Sequence, residues 1–556
     1  MTRPPSAPPA LAGGLSPLWG LPALLGLVTL GHLGALLGGF VWDDQPLILG
    51  NRWLGNAADL PALLSKDLWA GAPVDRPSSG YFRPLLLLDY SVDVAIFGKN
   101  AVWMHLRGLL WHLLAVAGLW RLSAPRLGAA GAWVACLIFG LHPVQSEAVT
   151  WIAARNDPMA AALCVWALVW SRAPGGRAAL GAGLLAAAAV ASKESALLLP
   201  VLRLALARLD REGARSALVG ALPLALGGVA IVGLRLVAAV DGAGLPSAEG
   251  WALLAENGVR LPLLALGMLV QPAPGVGGWA LEYLDRAPAW RFALGGVGLL
   301  GLIALARVAP PGLRSAAALW VVGAGAPPVL ALAAKGLFGE RYLYLALIGP
   351  AWLAGAAALR HPQRARTLGL IAGIGCVVVL QLRALAWRDD LRLWSAADAA
   401  APSPYSATSL GHVAYEAGEL DRAQAYFIRA LADPRPWLDA CGPLVSTASA
   451  QGRVPLGVQL SAWGALRGCD DARFRVGQAL VLAAAGRWDE VALAIAHVEE
   501  DPTGRAQVVR AALRLRAGDA QLSDLDAGWT GEPSLRAQAE GLILASAGAA
   551  GLGSSP

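Results

Sequence analysis

The amino-acid sequence predicts an all-α protein in which a polytopic bundle of membrane helices is followed by a helical repeat solenoid. Of the 556 residues, 56% are hydrophobic and 15% are charged, and the mean hydropathy is +0.54. Soluble domains carry about 25% charged residues, so this composition excludes an ordinary soluble protein. Apolar stretches of about 17 to 25 residues, which suffice to cross about 30 Å of hydrocarbon, recur as far as about residue 388 and then stop.

Basic residues in the short loops set the predicted topology. The first apolar stretch is too long for a cleaved signal peptide and is predicted to remain as the first span. The positive-inside rule places the arginine-rich loops in the cytoplasm and explains the net charge of +6 without nucleic-acid binding. About eleven crossings result if residues 259–275 dip in and return, lie flat or form a pair of short helices. The segments predicted outside are residues 39–104, 142–158, 191–196, about 239–290, 335–342 and those beyond about 388.

The polar C-terminal part repeats with the tetratricopeptide period. Gly418, Gly452 and Gly486 are 34 residues apart. The middle copy departs from the repeat pattern, and "RLRAGDAQLSDLDAG" is predicted to be a degenerate fourth copy. In the first copy, the positions that need small, small, aromatic, small and helix-breaking residues are held by Gly411, Ala423, Phe427, Ala430 and Pro434.

Composition and repeats together predict the domain organisation. Residues 1–387 are predicted to form the membrane domain, with its first outer loop at about 39–104. Residues 388–545 are predicted to form the repeat domain, and residues 546–556 a flexible tail. Cys441 and Cys469 lie in the polar part, where an oxidising compartment could join them, but spacing alone leaves their pairing open.

Two adjacent acids, Asp43 and Asp44, directly follow the first apolar run. A solvated helix end explains them equally well when they are considered alone. A charged side chain at membrane depth costs several kcal/mol unless it is solvated or paired. Acids and bases that recur near spans are therefore candidates for paired or functional residues. The predicted topology brings the following residues to the outer face: Asp43, Asp44, Arg83, His105, His142, Glu147, Arg155, Asp157, Lys193, Glu194, Glu340, Arg341 and Tyr342.

This mixture suits transfer of a sugar from a lipid phosphate or pyrophosphate. Cations stabilise the negative charge that develops on the departing phosphate, and a carboxylate can take the proton of the incoming hydroxyl. Asp43 is the predicted base, and Asp44 positions it or helps to hold a divalent cation such as Mg²⁺ or Mn²⁺. The predicted phosphate-binding cations are Arg83, Arg155, Lys193 and Arg341.

The remaining polar residues are predicted to support the site, and purely structural roles stay open for them. His105 lies seven residues from His112, and both can simply pack within the bundle. Glu194 beside Lys193, and Glu340 beside Arg341, can each be a local ion pair. The supporting set is His105, His142, Glu147, Asp157, Glu194, Glu340 and Tyr342.

The order of the motifs resembles the transmembrane and tetratricopeptide-repeat O-mannosyltransferase family and its bacterial relatives. The motifs are "FVWDD", "YFRPL", "WMHLRGLLWH", "LHPVQSEAVTWIAARNDP", "SKES", "GERYLYL" and "WRDDLRLW", and they extend over nearly the whole chain. The resemblance implies the GT-C glycosyltransferase architecture, with an active site at the outer face and a polyprenyl-phosphate sugar as donor. The family's acidic pair and its HP-x3-E, R-x-D, KE and ERY segments are matched by Asp43, Asp44, His142, Pro143, Glu147, Arg155, Asp157, Lys193, Glu194, Glu340, Arg341 and Tyr342.

The function predicted from the residues and the resemblance is transfer of a sugar, for example mannose, to a protein Ser or Thr hydroxyl with inversion. The implied partners are membrane lipid, the lipid-linked sugar and an acceptor protein bound by the repeats. A bacterial cytoplasmic membrane with the repeats outside is the predicted location. Two alternatives remain open: transfer to a lipid or cell-wall glycan, and a non-catalytic scaffold that anchors the repeats.

Overall fold

The structure is a computed structural model that describes residues 20–73, 79–238, 247–271, 279–496, 498 and 505–517. It confirms the prediction of a helical protein with several apolar helices. The chain divides after Asp389 into two compact units. The α-helices of the first unit are α1 (Leu21–His32), α2 (Leu60–Ser65), α3 (Pro84–Phe97), α4 (Ala101–Leu141), α5 (Ser146–Thr150), α6 (Asn156–Trp170), α7 (Gly176–Ser192), α8 (Leu199–Leu209), α9 (Ala214–Val237), α10 (Ala248–Glu256), α11 (Arg260–Met268), α12 (Ala289–Val308), α13 (Pro311–Lys335), α14 (Ile348–Ala358) and α15 (Pro362–Ala384).

Short helical turns and one small hairpin connect these helices. Strands β1 (Trp279–Ala280) and β2 (Leu337–Phe338) pair antiparallel, with Trp279 opposite Phe338. The turns are Leu33–Leu37, Gln45–Leu49, Ala57–Asp59, Pro143–Gln145, Ile152–Arg155, Glu194–Leu198, Leu281–Arg286, Glu340–Leu343 and Leu385–Trp387. Many of the predicted site residues lie in or beside these turns.

Within the described part of the chain, five helices are long and apolar enough to cross a membrane: Ala101–Leu141, Ile152–Trp170, Ala214–Val237, Ala289–Val308 and Pro362–Trp387. Shorter apolar helices include Leu21–Leu37, Gly176–Ser192 and Ile348–Ala358. Helix α11 has nine residues and rises only about 13 Å, too little to cross the hydrocarbon. It is the one helix in the described part of residues 259–275, and the total of about eleven crossings stays a prediction.

Helix α4 is a folded-back pair rather than one straight rod. Gly128 has φ 59° and ψ 175°, outside the helical region, and a β-carbon built on Gly140 would lie 3.3 Å from Val116. In a straight helix these two residues would be about 36 Å apart. The chain therefore reverses at Gly128, and both ends of α4 lie at the same end of the bundle.

Two buried histidines tie this hairpin to α1. The Nε2 atoms of His32 and His112 each lie 3.0 Å from the carbonyl oxygen of Gly140, and the two rings are 4.9 Å apart. Nδ1 of His112 lies 2.5 Å from the hydroxyl of Tyr344. His112 thus has the packing role that the sequence left open for it.

The second unit is built from helix pairs. Its helices are α16 (Asp390–Ala400), α17 (Pro404–Glu416), α18 (Leu420–Ala432), α19 (Cys441–Ala450), α20 (Val454–Leu466), α21 (Ala472–Ala484), α22 (Trp488–Ile495) and α23 (Arg505–Ala517), with a turn at Leu438–Ala440. Gly418, Gly452 and Gly486 separate the helices of three successive pairs with φ of 75°, 66° and 75°. Glycine tolerates this left-handed conformation, so each of the three turns carries a glycine, and these glycines recur at a spacing of 34 residues.

Close packing within the first pair follows the predicted pattern of small and aromatic residues. Phe427 is fully buried, and a β-carbon on Gly411 would come within 2.5 Å of its ring. Cys441 and Cys469 form a disulfide across 28 residues. These pairs are compatible with tetratricopeptide repeats, whereas most of the predicted fourth copy and the tail at 546–556 lie outside the described residues.

Candidate active site

The acidic pair lies in a loop that is fastened to the segment before α6. Asp44 is fully buried, and its carboxylate accepts hydrogen bonds from the backbone N–H of Val41 (3.0 Å) and of Ala153 (2.7 Å). The Trp151 indole N–H also donates to the Val41 carbonyl at 3.3 Å. Asp44 therefore fastens the loop to the segment that contains Ala153.

Asp43 lies on the more open side of the same loop. It is half-buried, and its carbonyl accepts a hydrogen bond from Leu47 N–H at 3.0 Å. The preceding Trp42 has φ 53° and stacks on Trp151 with ring centroids 4.6 Å apart and planes 7° apart. The structure thus distinguishes the two acids, because Asp44 is enclosed while Asp43 retains exposure.

Arg341 lies against the same aromatic pair. Its guanidinium carbon is 4.9 Å from the ring centroid of Trp151, 5.9 Å from that of Trp42 and 5.0 Å from that of Tyr342. Arg341 also forms an ion pair with Glu147. Burial by itself would lower the pKa of Arg341, but Glu147 and Tyr342 outweigh it and raise the pKa, so the residue stays cationic.

Glu147 joins the α5 segment to the 340–341 turn. Besides the Arg341 side chain, it accepts a hydrogen bond from the backbone N–H of Glu340 at 2.7 Å. Glu147 is only 1% exposed, so this bridge holds Arg341 from the protein side and leaves its outer edge accessible. The predicted supporting role of Glu147 has a clear geometric basis.

Arg83 and Lys193 add two further cations near Tyr342. Arg83 contacts Glu194 through two donors, at 3.3 and 3.1 Å, and lies 4.4 Å from the ring of Tyr81. Lys193 pairs with Asp157 and lies 5.7 Å from the ring of Tyr342. Each cation therefore has an acidic partner from the predicted supporting set.

The surroundings shift the pKa values of these two cations in opposite directions. Burial would lower the pKa of Arg83, but Glu194 and Tyr81 together raise it. For Lys193, burial and the neighbouring Arg83 lower the pKa, and Asp157 opposes this only in part. Lys193 is thus the cation of this group that loses its proton most readily.

Arg155 has different surroundings from the other predicted cations. It donates to the carboxylates of Asp89 (2.7 Å) and Asp93 (2.6 Å) and to the carbonyl of Met104 (2.7 Å). Arg107 also contacts Asp89, at 3.0 Å. The Arg155 side chain is 0% exposed, against 14%, 10% and 18% for Arg83, Lys193 and Arg341.

The predicted phosphate role of Arg155 therefore gains no support from its position. Its donors face Asp89 and Asp93, which fix α3 against α4 and the start of α6. Sequence reasoning missed these two acids because they lie inside the apolar helix α3, where only their spacing of four residues signals a common face.

Arg383 is a third residue that sequence reasoning missed. It comes from the last long apolar helix, is 2% exposed, pairs with Glu340 and donates to the hydroxyl of Ser146 at 2.7 Å. Burial raises the pKa of Glu340, and the charge of Arg383 opposes that rise. The isolated arginine in an apolar stretch was the available signal, since such a charge needs a partner.

The two predicted site histidines have local structural roles. His105 is buried with its ring against the backbone of Gly38. His142 lies 2.9 Å from the Leu269 carbonyl and accepts from Val144 N–H at 3.2 Å. Burial lowers the pKa of His142 to about 4, so its ring is neutral at physiological pH. Both therefore shape the loops around the site.

The metal prediction gains no support from the geometry. Among the described residues, no group of three or more His, Cys, Asp or Glu is arranged to hold a metal ion. In addition, both carboxylate oxygens of Asp44 accept backbone hydrogen bonds.

The site as a whole occupies one end of the helix bundle. His105 and His142 flank the two ends of the α4 hairpin, Asp157 begins α6, and Lys193 follows α7. Asp43, Arg341 and Tyr342 lie in loops at this same end, as shown by the stacking of Trp42 on Trp151. Acids, cations and aromatic rings that are far apart in sequence thus meet, as the predicted topology requires.

This set of groups defines a helical membrane protein with a charged, aromatic-lined cluster at one end. No known protein-family profile matches the chain. Protein O-mannosyl-transferase Tmtc2 of Drosophila melanogaster is 29% identical over 287 residues, which is 46% of this chain and 30% of that protein. Human protein O-mannosyl-transferase TMTC3 is 27% identical over 134 residues, 24% of this chain and 15% of the relative.

The matched segments thus span less than a third of these relatives. The sequence matches confirm the predicted resemblance to the TMTC protein O-mannosyl-transferases. Among solved structures, ArnT from Cupriavidus metallidurans bound to undecaprenyl phosphate matches with a TM-score of 0.38 and 16% identity, over 80% of both chains.

Proposed function

We propose that this protein is a GT-C membrane glycosyltransferase that moves a sugar from a polyprenyl-phosphate donor to a Ser or Thr hydroxyl of a protein. The observation that carries the proposal is that the partly exposed cations Arg83, Lys193 and Arg341 lie at one end of the bundle, where Arg341 contacts the ring of Trp42, the neighbour of Asp43. Similarity to relatives named protein O-mannosyl-transferases supports this class and makes mannose the first sugar to test.

The proposed reaction is a single inverting displacement. The acceptor oxygen forms a bond to the anomeric carbon of the sugar while the bond from that carbon to the phosphate oxygen breaks. Asp43 takes the proton of the acceptor hydroxyl, a contribution of about 10²- to 10⁴-fold in rate. The polyprenyl phosphate leaves with the electron pair, and Arg83, Lys193 and Arg341 stabilise its growing charge.

The cations are paired before the donor binds, and this pairing suits their role. Glu194, Asp157 and Glu147 hold the three cations in place, so little reorganisation is needed when phosphate arrives. Each carboxylate covers one side of its partner, and the exposed edge of the cation is left for the donor. Arg155 instead forms the rigid support between α3, α4 and α6.

The second unit supports a location outside the cytoplasm. A disulfide between Cys441 and Cys469 persists in oxidising compartments and is rare in a reducing cytosol. In a bacterium, this supports a location of the unit beyond the cytoplasmic membrane, on the side where the site is predicted. Its helix pairs are proposed to bind the acceptor protein.

The test uses the purified full chain in lipid nanodiscs. It is given decaprenyl-phosphate [³H]mannose and a mixture of Ser- and Thr-containing peptides, with the Asp43→Asn variant in parallel. We expect labelled peptide from the unaltered protein and none above background from the variant. Label that enters the lipid or glycan fraction instead would establish the alternative acceptor class.

A scaffold predicts a different result. The unaltered protein would then transfer no label from any polyprenyl-phosphate sugar to peptide, lipid or glycan. Replacement of both Asp43 and Asp44 by Ala would also be harmless in cells. Either set of results decides between enzyme and anchor.

A further inference from the structure

We propose that Trp42 is a positioning residue that holds the proposed base Asp43 in a fixed position relative to the cation Arg341. The inference rests on the proposed function and adds a specific device to it. Trp42 does this by stacking its indole on Trp151, which lies against the guanidinium of Arg341.

The backbone at Trp42 gives the first reason. Its φ of 53° lies in the left-handed region, which bulky residues rarely adopt and which glycine adopts freely. Gly38 and Gly39 lie just upstream, yet the left-handed position itself carries tryptophan. The indole must therefore contribute something that glycine would lack.

The contacts of the indole show what that contribution is. Trp42 and Trp151 are nearly parallel, with planes 7° apart, and Trp151 stacks in turn on the buried Trp387 at 5.8 Å. Arg341 lies within 6 Å of the centroids of both Trp42 and Trp151. Cation–π contacts of this kind fix the plane of a guanidinium group.

The stacking of Trp42 on Trp151 and the hydrogen bonds of Asp44 fasten the loop that carries Asp43 and Asp44 at two points. Asp44 bonds to Ala153 N–H, and Trp42 stacks on Trp151, so the residues on both sides of Asp43 are held against the same short segment. Asp43 itself is left half-buried between them. The loop can thus present the acid in one direction, at a set distance from Arg341.

The test compares Trp42→Gly with Trp42→Phe. Glycine suits the left-handed backbone but removes the stack, whereas phenylalanine keeps part of the stack. With decaprenyl-phosphate mannose as donor, we expect Trp42→Gly to lower kcat by about 10- to 100-fold with little change in donor KM, because misplacement of a reacting group acts on the chemical step. Trp42→Phe should recover most of kcat.

The control is Trp103→Ala. Trp103 also forms a near-parallel aromatic stack, with Phe97 at 4.5 Å and 14°, but no site residue lies in that pair. We expect its kcat and KM to match the unaltered protein. If the kcat of Trp42→Gly also equals that of the unaltered protein, the inference is wrong. It is equally wrong if Trp42→Gly loses thermal stability but keeps full transfer per folded molecule.

A second measurement does not depend on activity. Amide hydrogen exchange over residues 40–50 should accelerate in Trp42→Gly while exchange in α4 and α6 stays unchanged. Unchanged exchange in the loop would also overturn the inference. If the unaltered protein transfers nothing from any donor, the proposed function fails, and the exchange result still decides whether Trp42 fastens the loop.

Discussion

The first unit contains two clusters of paired charges at opposite ends of the same helices. One is the site around Arg341. The other lies where α4 reverses and where α6 and α8 end, and it joins Arg126 and Arg172 to Asp210 at 2.6 and 3.1 Å and Arg203 to Glu212 at 2.6 Å. Both clusters combine arginines with acids from several loops.

Their surroundings differ. The second cluster has arginines that are 4%, 31% and 2% exposed, and the ring of Trp352 lies 5.9 Å from Arg126. The first has a separate acid loop and aromatic rings stacked on its cations. Pairing alone therefore does not mark a functional site, because such pairs are also a way to join loops. The first cluster is set apart by the neighbouring loop that carries Asp43, in which Trp42 stacks on Trp151.

The largest expected effect is loss of transfer in Asp43→Asn. An amide cannot accept the acceptor proton, so the rate should fall by about 10²- to 10⁴-fold while folding is retained. Asp44→Asn is the matched variant: its NH2 group replaces one of the two accepting oxygens and faces a backbone N–H donor, so the thermal midpoint should fall. The measurements are mannose transfer per folded molecule and thermal unfolding, and full activity in Asp43→Asn would exclude Asp43 as the base.

The next effect separates charge from shape at Arg341. Arg341→Gln should lower kcat by about 10²- to 10³-fold, the usual loss when one donor to a developing oxyanion is removed. Arg341→Lys keeps the charge but loses the planar contact with the indole of Trp151. Its kcat should therefore lie between those of Arg341→Gln and the unaltered protein. Equal rates for Arg341→Lys and the unaltered protein would show that the aromatic contact is unimportant.

A smaller effect concerns pH and Lys193. Because burial and Arg83 lower the pKa of Lys193, its charge is lost at a lower pH than that of an ordinary lysine. Affinity for decaprenyl phosphate should therefore decrease, by about fivefold, as the pH rises through that lowered pKa. In Lys193→Arg this decrease should disappear, because guanidinium keeps its proton. A fall of the same size in Lys193→Arg would assign the titration to another group.

The smallest effect on transfer is expected at the opposite cluster. Arg126→Gln removes a pair with Asp210 in which the arginine is 4% and the acid 14% exposed, and it should lower stability by about 2–4 kcal/mol. Transfer per folded molecule should remain unchanged, as judged by the mannose assay beside urea or thermal unfolding. A selective loss of kcat in this variant would mean that the two clusters are coupled.

Part of this architecture could be predicted from the sequence because its signals are local. Gly418, Gly452 and Gly486 recur at the repeat period, and each adopts the left-handed turn that glycine favours. The long apolar helices follow from the apolar stretches of the sequence. The resemblance carried by the motifs was confirmed by the sequence matches.

The partners of each charge could not be predicted in the same way. Arg155 looked like a phosphate ligand, but Asp89 and Asp93 surround it from a helix more than 60 residues earlier. Arg383 lies within the last apolar stretch of the sequence, and its contacts with Glu340 and Ser146 come from segments far away along the chain. Which acid meets which base depends on how helices pack, and one sequence does not contain that information.

The shared Gly140 carbonyl has a consequence for how protons are arranged inside the bundle. Because one oxygen faces the Nε2 atoms of both His32 and His112, each imidazole must carry its hydrogen on that nitrogen. Nδ1 of His112 is then left as an acceptor, and the phenol of Tyr344 must donate to it. Only one tautomer of each ring satisfies this arrangement, so α1, α4 and the segment that follows Arg341 are locked together by the direction of three hydrogens as much as by their shape.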